Sequence, residues 1–404
     1  VLNKKTGIMR ILKKSPWTFI VLIGVVSLFS DMTHEGARAL TGPFLAMLGA
    51  SATAVGFIAG FGELVGYGLR LISGLISDRT KKYWTVTFIG YFINLLAVPA
   101  LALAGSWQMA AVLMILERTG RAIRNPARDV MLSHATSSIG HGKGFGVYEA
   151  LDQIGAVTGP LIVTAVYLFS GSYHQSFGIL LIPALLALSI LLVARLKYPK
   201  TEILETRENG GPVVFPKKYF WLYLAAVSLI AAGFADYPLI AFHFSKTNQV
   251  SSEMIPVMYA IAMGVDALAA LLLGWWFDKQ GIKVLIASTV VSLLFAPLVF
   301  MGNFYTALAG MVCWGIGMAA QESIVRSVLS AILPSGKKAT GFGLFNAAIG
   351  LFWFLGSFLM GWLYEVSVVW LIGFSMIIQL ASIPVFVKLS GEKSINPTDE
   401  TSNH

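Results

Sequence analysis

The chain has 404 residues, 56% of them hydrophobic and only 12% charged, where a soluble domain carries about 25% charged residues, and its mean hydropathy is +0.74. That balance excludes an ordinary water-soluble fold and places the chain among helical membrane proteins. The net charge of +9 does not indicate nucleic acid, because the basic residues fall in membrane-flanking loops and at polar positions inside apolar runs, not on one soluble face.

In chain order, Lys4, Lys5, Arg10, Lys13 and Lys14 precede the apolar run Trp17–Phe29. No small-residue cleavage site closes that run and the apolar pattern resumes at Ala39–Leu48, so it reads as a first membrane helix and not as a secretory signal. Crossing a bilayer takes about 20 apolar residues. Twelve such segments are expected, over roughly 17–48, 53–78, 84–105, 107–133, 142–170, 174–196, 219–245, 254–277, 283–302, 304–332, 339–365 and 368–388. The fold expected is therefore an all-α membrane protein with a six-helix bundle over 1–197, a polar cytoplasmic linker over 198–217, a second six-helix bundle over 218–389 and a polar, disordered cytoplasmic tail over 390–404. Lys and Arg crowd the loops on one side (Lys4, Lys5, Arg79, Lys81, Lys82, Lys143, Lys200, Lys279, Lys337, Lys338), whereas the other side holds essentially Lys246. Both termini are accordingly expected in the cytoplasm. Forty glycines suit close helix packing in lipid. The single cysteine, Cys313, excludes an internal disulfide and has no second cysteine for a metal site.

The two halves repeat. GLISDRTKK from Gly74 aligns with GWWFDKQGIK from Gly274, 200 residues later, and GFGVYEA at Gly144 aligns with GFGLFNA at Gly341, 197 residues later. Paired six-helix halves are a transporter plan with the site near the membrane midplane.

On these motifs the chain resembles the major facilitator superfamily over essentially its whole length. The family's loop signature between helices 2 and 3 reads roughly G-x-x-x-D-[RK]-x-G-[RK]-[RK]. The copy at Gly274–Lys283 fits it well; the copy with Gly74, Asp78 and Arg79 departs, with Lys81 in place of the glycine. The family's helix-5 antiporter signature is matched by Gly146, Gly155, Gly159 and Pro160, while Val163 and Thr164 replace its closing glycines. The resemblance implies twelve helices in two pseudo-symmetric bundles. It also implies that Asp78 and Asp278, with Arg79 and Lys279, latch the cytoplasmic side, and that the helix-5 glycines and proline seal against proton leak. Plain packing explains those glycines equally well.

A charge at bilayer depth costs about 2.5 kcal/mol or more, so it is usually paired or faces a wet cavity. Counting residues from the outer helix ends at about 1.5 Å each sorts the first half into layers. Arg38, Glu63, Glu117 and Arg118 share one; Asp31, Arg70, Arg124 and Asp152 share a deeper one; Arg128 and Glu149 match deeper still. With Glu35, Arg121 and Asp129 the acids and bases nearly balance, as a buried network requires. Glu117, Arg121, Arg124 and Arg128 follow i, i+4, i+7, i+11 and share one helix face, directed at a cavity or at other helices. The second half holds Asp236, Asp266, Glu322 and Arg326. Asp31, Glu35, Glu63, Asp236 and Asp266 are the proton-coupling candidates; for the first-helix acids a packing lock between helices 1, 2 and 4 is the competing reading. His34, Arg38, Arg121 and Glu322 are the candidates for the substrate cavity. Arg70, Glu117, Arg124, Arg128, Glu149 and Asp152 are assigned to a charge network. Trp314, Phe352, Trp353 and Phe354 either line the second-half cavity or pack.

No nucleotide loop, catalytic constellation or metal-ligand spacing is found, so neither an enzyme nor ATP-driven transport is expected, and no cofactor beyond the proton gradient. The expected function is secondary transport of a small-molecule substrate across the cytoplasmic membrane by alternating access, as proton-coupled efflux by a monomer in the lipid bilayer. Proton-coupled uptake of an anionic metabolite held by Arg38 or Arg121 is the alternative. A non-transporting sensor or partner protein on the same scaffold is the reading from another class.

Overall fold

The computed structural model of the chain describes residues 15–136, 141–200, 217–325, 328–329 and 338–391; of residues 78, 141–143, 217, 278 and 338–342 it describes the backbone alone. The basic N-terminal stretch, the linker over 201–216, Arg326, the tail from 392 and the side chains of the expected latch acids Asp78 and Asp278 therefore lie outside the described residues.

In hydrocarbon, every backbone N–H and C=O must find a partner within the protein, and the described chain meets that demand with helices. In the first half these are α1 (Pro16–Met47), α2 (Ala52–Thr80), α3 (Tyr83–Ala100), α4 (Trp107–Thr136), α5 (His141–Ser170), α6 (Tyr173–Gly178) and α7 (Leu181–Lys197). The second half holds α8 (Lys217–Gly233), α9 (Tyr237–Thr247), α10 (Ile255–Gln280), α11 (Lys283–Ser292), α12 (Phe295–Phe300), α13 (Phe304–Ala319), α14 (Lys338–Val366) and α15 (Val368–Ser390). Among the described residues ten stretches are long and apolar enough to cross a membrane, three of them made of two consecutive α-helices: α6–α7, α8–α9 and α11–α12. Two of the twelve expected segments fall short of that measure. α4 carries Glu117, Arg118, Arg121, Arg124, Arg128 and Asp129, and α13 has only 16 residues before it passes into a π-helical turn at Ala320–Ile324. Large apolar side chains such as Phe169, Leu268, Leu271, Leu272 and Ile377 stand exposed on the outside, where lipid replaces water as their solvent.

Sequence chemistry marks the helix ends. Ser51 accepts the Ala54 N–H at the start of α2, and Asn303 with Thr306 forms a reciprocal capping box at the start of α13. Both copies of the loop signature end their helix on a residue of positive φ, but Lys81 is left-handed (ψ 18°) and Gly281 is not (ψ −139°). Lys81 takes φ 53° where Gly281 takes φ 57°. Glycine adopts positive φ freely, whereas a side chain there costs about 1–2 kcal/mol. The first copy thus keeps the positive φ of the motif glycine but turns the chain in a different direction.

Packing follows the small residues. α1 lies along α5, and a Cβ at Gly155 or Gly159 would come within 2.2 Å of Leu28 O or 2.3 Å of Met32 O. Pro160 sits inside α5 one residue beyond that contact. Gly146, the first glycine of the helix-5 pattern, faces open space, with no packed neighbour among the described residues within 4 Å of where a Cβ would stand, so it has no share in the contact. The halves meet where α1 packs on α9, α2 on α14 and α5 on α10.

Gly155→Ala is expected to cost about 1–3 kcal/mol by overpacking, read as a lower unfolding midpoint of the detergent-solubilised protein. Gly146→Ala is expected to leave that midpoint unchanged or raise it, by up to about 1 kcal/mol.

Candidate functional site

Between the halves lies a cavity of about 870 Å³. From the first half, α1 lends it Asp31, Glu35 and Arg38; α2 lends Tyr67 and Arg70; α4 lends Arg121, Arg124, Arg128 and Asp129; and α5 lends Tyr148, Glu149, Asp152 and Gln153. The second half supplies Met263 and Asp266 from α10, Met318 from α13, Glu322 from the π-helical turn and Phe345 and Asn346 from α14. The lining extends to Gly74, Leu75 and Asp129, toward the end that carries Arg79, Lys81, Lys82 and Lys279. At this basic end Asp129 is half exposed.

The opposite end is shut by backbone contact between the halves. A Cβ at Gly42 would lie 2.2 Å from Pro238 O, one at Gly56 2.3 Å from Ser357 O, and one at Gly361 2.5 Å from Ala52 O. Glu365 Oε1 accepts the Thr53 N–H at 2.9 Å, so α14 caps the start of α2 across the interface. A cavity between two bundles, closed at one end and lined to the other, is the geometry of one state of an alternating-access device.

The floor of the cavity is ionic. Arg38 Nη2 donates to Asp236 Oδ1 at 2.8 Å, joining α1 to the break between α8 and α9. Asp236 holds that break in extended backbone (φ −71°, ψ 145°), and its carboxylate also accepts the Tyr237 N–H, with Pro238 in the first turn of α9. An N-capping acid followed by an early proline is a helix-start signal, legible in FADYP but hidden in an otherwise apolar run expected to be one continuous helix. Beside this pair, Tyr259 OH of α10 donates to Glu35 Oε2 at 2.5 Å, and Arg38 Nη1 lies 3.9 Å from the same oxygen.

Behind the floor the network continues within the first half. His34 Nδ1 is 2.8 Å from Glu117 Oε1, His34 Nε2 is 3.4 Å from Glu35 Oε1, and Arg121 Nη1 also contacts His34 Nε2. Asn94 Nδ2 donates to Glu117 Oε1 at 2.7 Å. Arg118 bridges Glu117 (3.5 Å) and Glu63 (2.7 Å). A second, small cavity of about 30 Å³ adjoins His34, Arg38, Glu117 and Arg118. Toward the basic end, Ser27 bonds Asp152 and lies 2.6 Å from Tyr148 OH. Gln153 Nε2 reaches Asp266 Oδ2 at 3.5 Å, and Asp266 Oδ1 has no hydrogen-bond partner among the described residues.

The structure gathers most of the expected residues into this site and reassigns several. Asp31, Glu35 and Arg38 are 8%, 7% and 8% exposed and face the cavity, not lipid. The layer of Asp31, Arg70, Arg124 and Asp152 lines it together. Arg38, expected to meet Glu63 or Glu117 at equal depth, instead crosses to Asp236, and Glu63 pairs with Arg118 away from the cavity. Arg128 bonds Asp129 at 2.7 Å and stacks on Tyr148 rather than salt-bridging to Glu149. His34 lines the small cavity and not the large one. Arg121, Arg124 and Arg128 share the expected cavity face of α4, while Glu117 turns to α3 and His34. Arg124 is 1% exposed, its guanidinium 4.2 Å from the Tyr91 ring centre, with Nε and Nη1 unpartnered among the described residues. Arg79 is exposed, and Lys279 sits 3.6 Å over Trp275. Trp314, Phe352, Trp353 and Phe354 do not line the large cavity; Trp314 donates to Ala235 O at 2.9 Å and Phe354 packs on Phe57 and Phe61. Tyr259, Asn94, Tyr148, Ser27 and Gln153 went unnoticed in the sequence, where uncharged polar residues in membrane helices carry no pattern of their own.

A family model described as Major Facilitator Superfamily matches residues 20–279 and 222–403. An uncharacterized protein of Mycobacterium tuberculosis (strain H37Rv) is 38% identical over 362 residues, 88% of each chain. Multidrug resistance protein MdtH of Photorhabdus laumondii is 25% identical over 335 residues, 80% of each chain. Among solved structures, a mutant form of the nucleoside transporter NupG superposes with a TM-score of 0.74 at 13% identity, over 91% of this chain and 100% of that one, a likeness of fold.

Asp236→Asn removes the acceptor charge of a buried pair and leaves Arg38 only the more distant Glu35, 3.9 Å away, where outright loss of a fully buried partner costs about 3–5 kcal/mol. The closed end is expected to loosen. With Cys313 replaced by serine, a cysteine at Ala241, fully buried against Gly42, is expected to be alkylated at least about tenfold faster once Asp236→Asn is added, a factor equivalent to about 1.4 kcal/mol.

Proposed function

The chain belongs to the major facilitator superfamily and is a multi-pass secondary transporter of the cytoplasmic membrane, and from that premise we propose that it exports a small organic solute in exchange for protons. The observation that carries this reading is Asp266. It is 2% exposed, it faces the cavity from the second half, and Oδ1 has no hydrogen-bond partner among the described residues. Asp31 and Asp152 face the same space from the first half. A carboxyl so placed can take a proton from whichever side the cavity faces, and a charged carboxylate left without a partner is costly to bury. Proton occupancy and cavity orientation are then linked, which is what antiport requires. The helix-5 pattern and the kinship with a multidrug resistance protein support export as the direction.

A second reading keeps the transporter and reverses it, as uptake of an anion. Arg124 favours it, because its Nε and Nη1 lack acceptors among the described residues while Arg38 and Arg121 are engaged by Asp236 and His34.

Reconstituted protein in vesicles with an imposed pH gradient tests both. Amphiphilic amines, nucleosides and small carboxylates serve as the panel. Export coupled to protons predicts gradient-driven movement of at least one class, lost by at least about tenfold in Asp266→Asn (roughly 1.4 kcal/mol of coupling), with exchange at equal pH retained. Movement that ignores the gradient, or survives Asp266→Asn intact, overturns it. The anion reading predicts that Arg124→Gln abolishes carboxylate movement and spares amines.

A further inference from the structure

His34 stands between two demands on one nitrogen. Arg121 Nη1 and Glu35 Oε1 both face Nε2, the latter at 3.4 Å. Arginine is always a donor and a carboxylate oxygen an acceptor, so Nε2 cannot serve both at once. When Nε2 accepts from Arg121 it carries no proton, and the ring is the neutral tautomer with its hydrogen on Nδ1, donated to Glu117 Oε1 at 2.8 Å. When Nε2 binds a proton it becomes a donor. It then turns to Glu35, and the Arg121 guanidinium, now facing a second cation, must leave.

We infer that His34 is the proton switch of this transporter: proton uptake at Nε2 exchanges Arg121 for Glu35 as its partner, freeing Arg121 into the cavity and loosening the contact between the halves. The inference rests on the proton-coupled reading above and assigns the residue that senses the proton. Its consequences run in both directions from the ring. Arg121 already lines the large cavity, so its release changes the charge presented to solute. Glu35 accepts from Tyr259 of the second half at 2.5 Å and lies 3.9 Å from Arg38, which holds Asp236 at 2.8 Å. Drawing Glu35 toward an imidazolium competes with Tyr259 and Arg38, the groups through which α1 grips α10 and α9.

The charges around the ring accommodate the extra proton. Glu35 faces His34 from α1; Glu117 and Arg121 face it from α4; Tyr259 of α10 and Arg118 with Glu63 of α2 lie one contact further out. Within the linked cluster the carboxylates of Glu35, Glu63, Glu117 and Asp236 meet the guanidiniums of Arg38, Arg118 and Arg121. Four against three leaves one negative charge, which a proton on His34 cancels. A route for that proton exists on both sides. Glu35 and Arg121 open on the large cavity, and the cavity of about 30 Å³ on the far side of His34, where Glu117 and Arg118 stand among mainly apolar side chains, has room for about one or two waters.

Two measurements on the full-length protein in lipid nanodiscs test the switch. In the first, nitrogen NMR of the 15N-histidine-labelled protein is followed from about pH 8 to about pH 5, the range in which histidine charge ordinarily changes, with the His34 signals assigned by their absence in His34→Gln. In the second, spin labels on Leu103→Cys and Trp370→Cys, exposed at the shut ends of the two halves, report the separation of those ends with Cys313 replaced by serine. The expected result is a His34 signal that passes from the Nδ1–H tautomer to imidazolium, and a label separation that lengthens with the same midpoint and loses its pH dependence in His34→Gln. A His34 signal that keeps one tautomer throughout overturns the switch; where His34→Gln does not fold, the signal is assigned instead by its persistence when the other five histidines are replaced. So does a His34→Gln protein whose label separation follows pH as the wild type does. If His34 titrates and sets the separation while no pH gradient drives solute in vesicles, the switch stands and the proton-coupled reading fails.

Discussion

An ion pair in the middle of a membrane holds the two halves of this protein together. Arg38 and Asp236 sit at a depth where a lone charge costs a few kcal/mol, and neither could be there without the other. Asp236 reaches Arg38 because the seventh span is broken into α8 and α9, with the aspartate capping the second piece. Arg38 reaches Asp236 because Gly42, one turn along α1, lets the backbones of α1 and α9 touch. Tyr259 and Glu35 fill the remaining side of the junction. The closure of one end, the position of the cavity floor and the burial of the first-half charge network all depend on this contact.

Ions close that end in a way that oil would not. An apolar seal between helices in lipid gains little from association, since lipid tails are as apolar as leucine. A charged pair is directional and carries a large penalty when half of it is removed. Its strength therefore responds to neighbouring charge, and every neighbour here is charged or polar: Glu35 beside Arg38, His34 beside Glu35, Arg121 and Glu117 beside His34. A proton or a solute entering such a cluster shifts the balance of the junction without touching it. The π-helical turn that carries Glu322 into the cavity is a local irregularity of the same kind, often found at functional sites in helices.

The departures from regularity are where prediction from pattern was weakest. Counting residues along helices placed Asp31, Arg70, Arg124 and Asp152 at one depth, and they do line one cavity. The same count put Arg38 level with Glu63, Glu117 and Arg118. The arginine nonetheless chose Asp236, which lies on a broken helix of the other half, where no count along the first half reaches. Arg128 took its own neighbour Asp129 rather than Glu149 at matching depth. His34 shares a helix face with Arg38 and lies behind the cavity wall. Gly146 matched a motif position, yet a Cβ there would meet no packed neighbour among the described residues.

Composition, segment length, the repeated loops and the intramembrane charges were enough, from sequence alone, to establish a helical membrane protein of two related halves in the major facilitator superfamily, with a polar seam between them. They were enough because helix rise and bilayer thickness are fixed lengths, and because an ion in hydrocarbon is too costly to stand without purpose. Which ion meets which, where a span breaks, and which end is shut were decided only in three dimensions. Helix rise gives depth but not the angle around the bundle. Among several charges at one level, the partner is set by the lateral packing of helices that lie far apart in the chain.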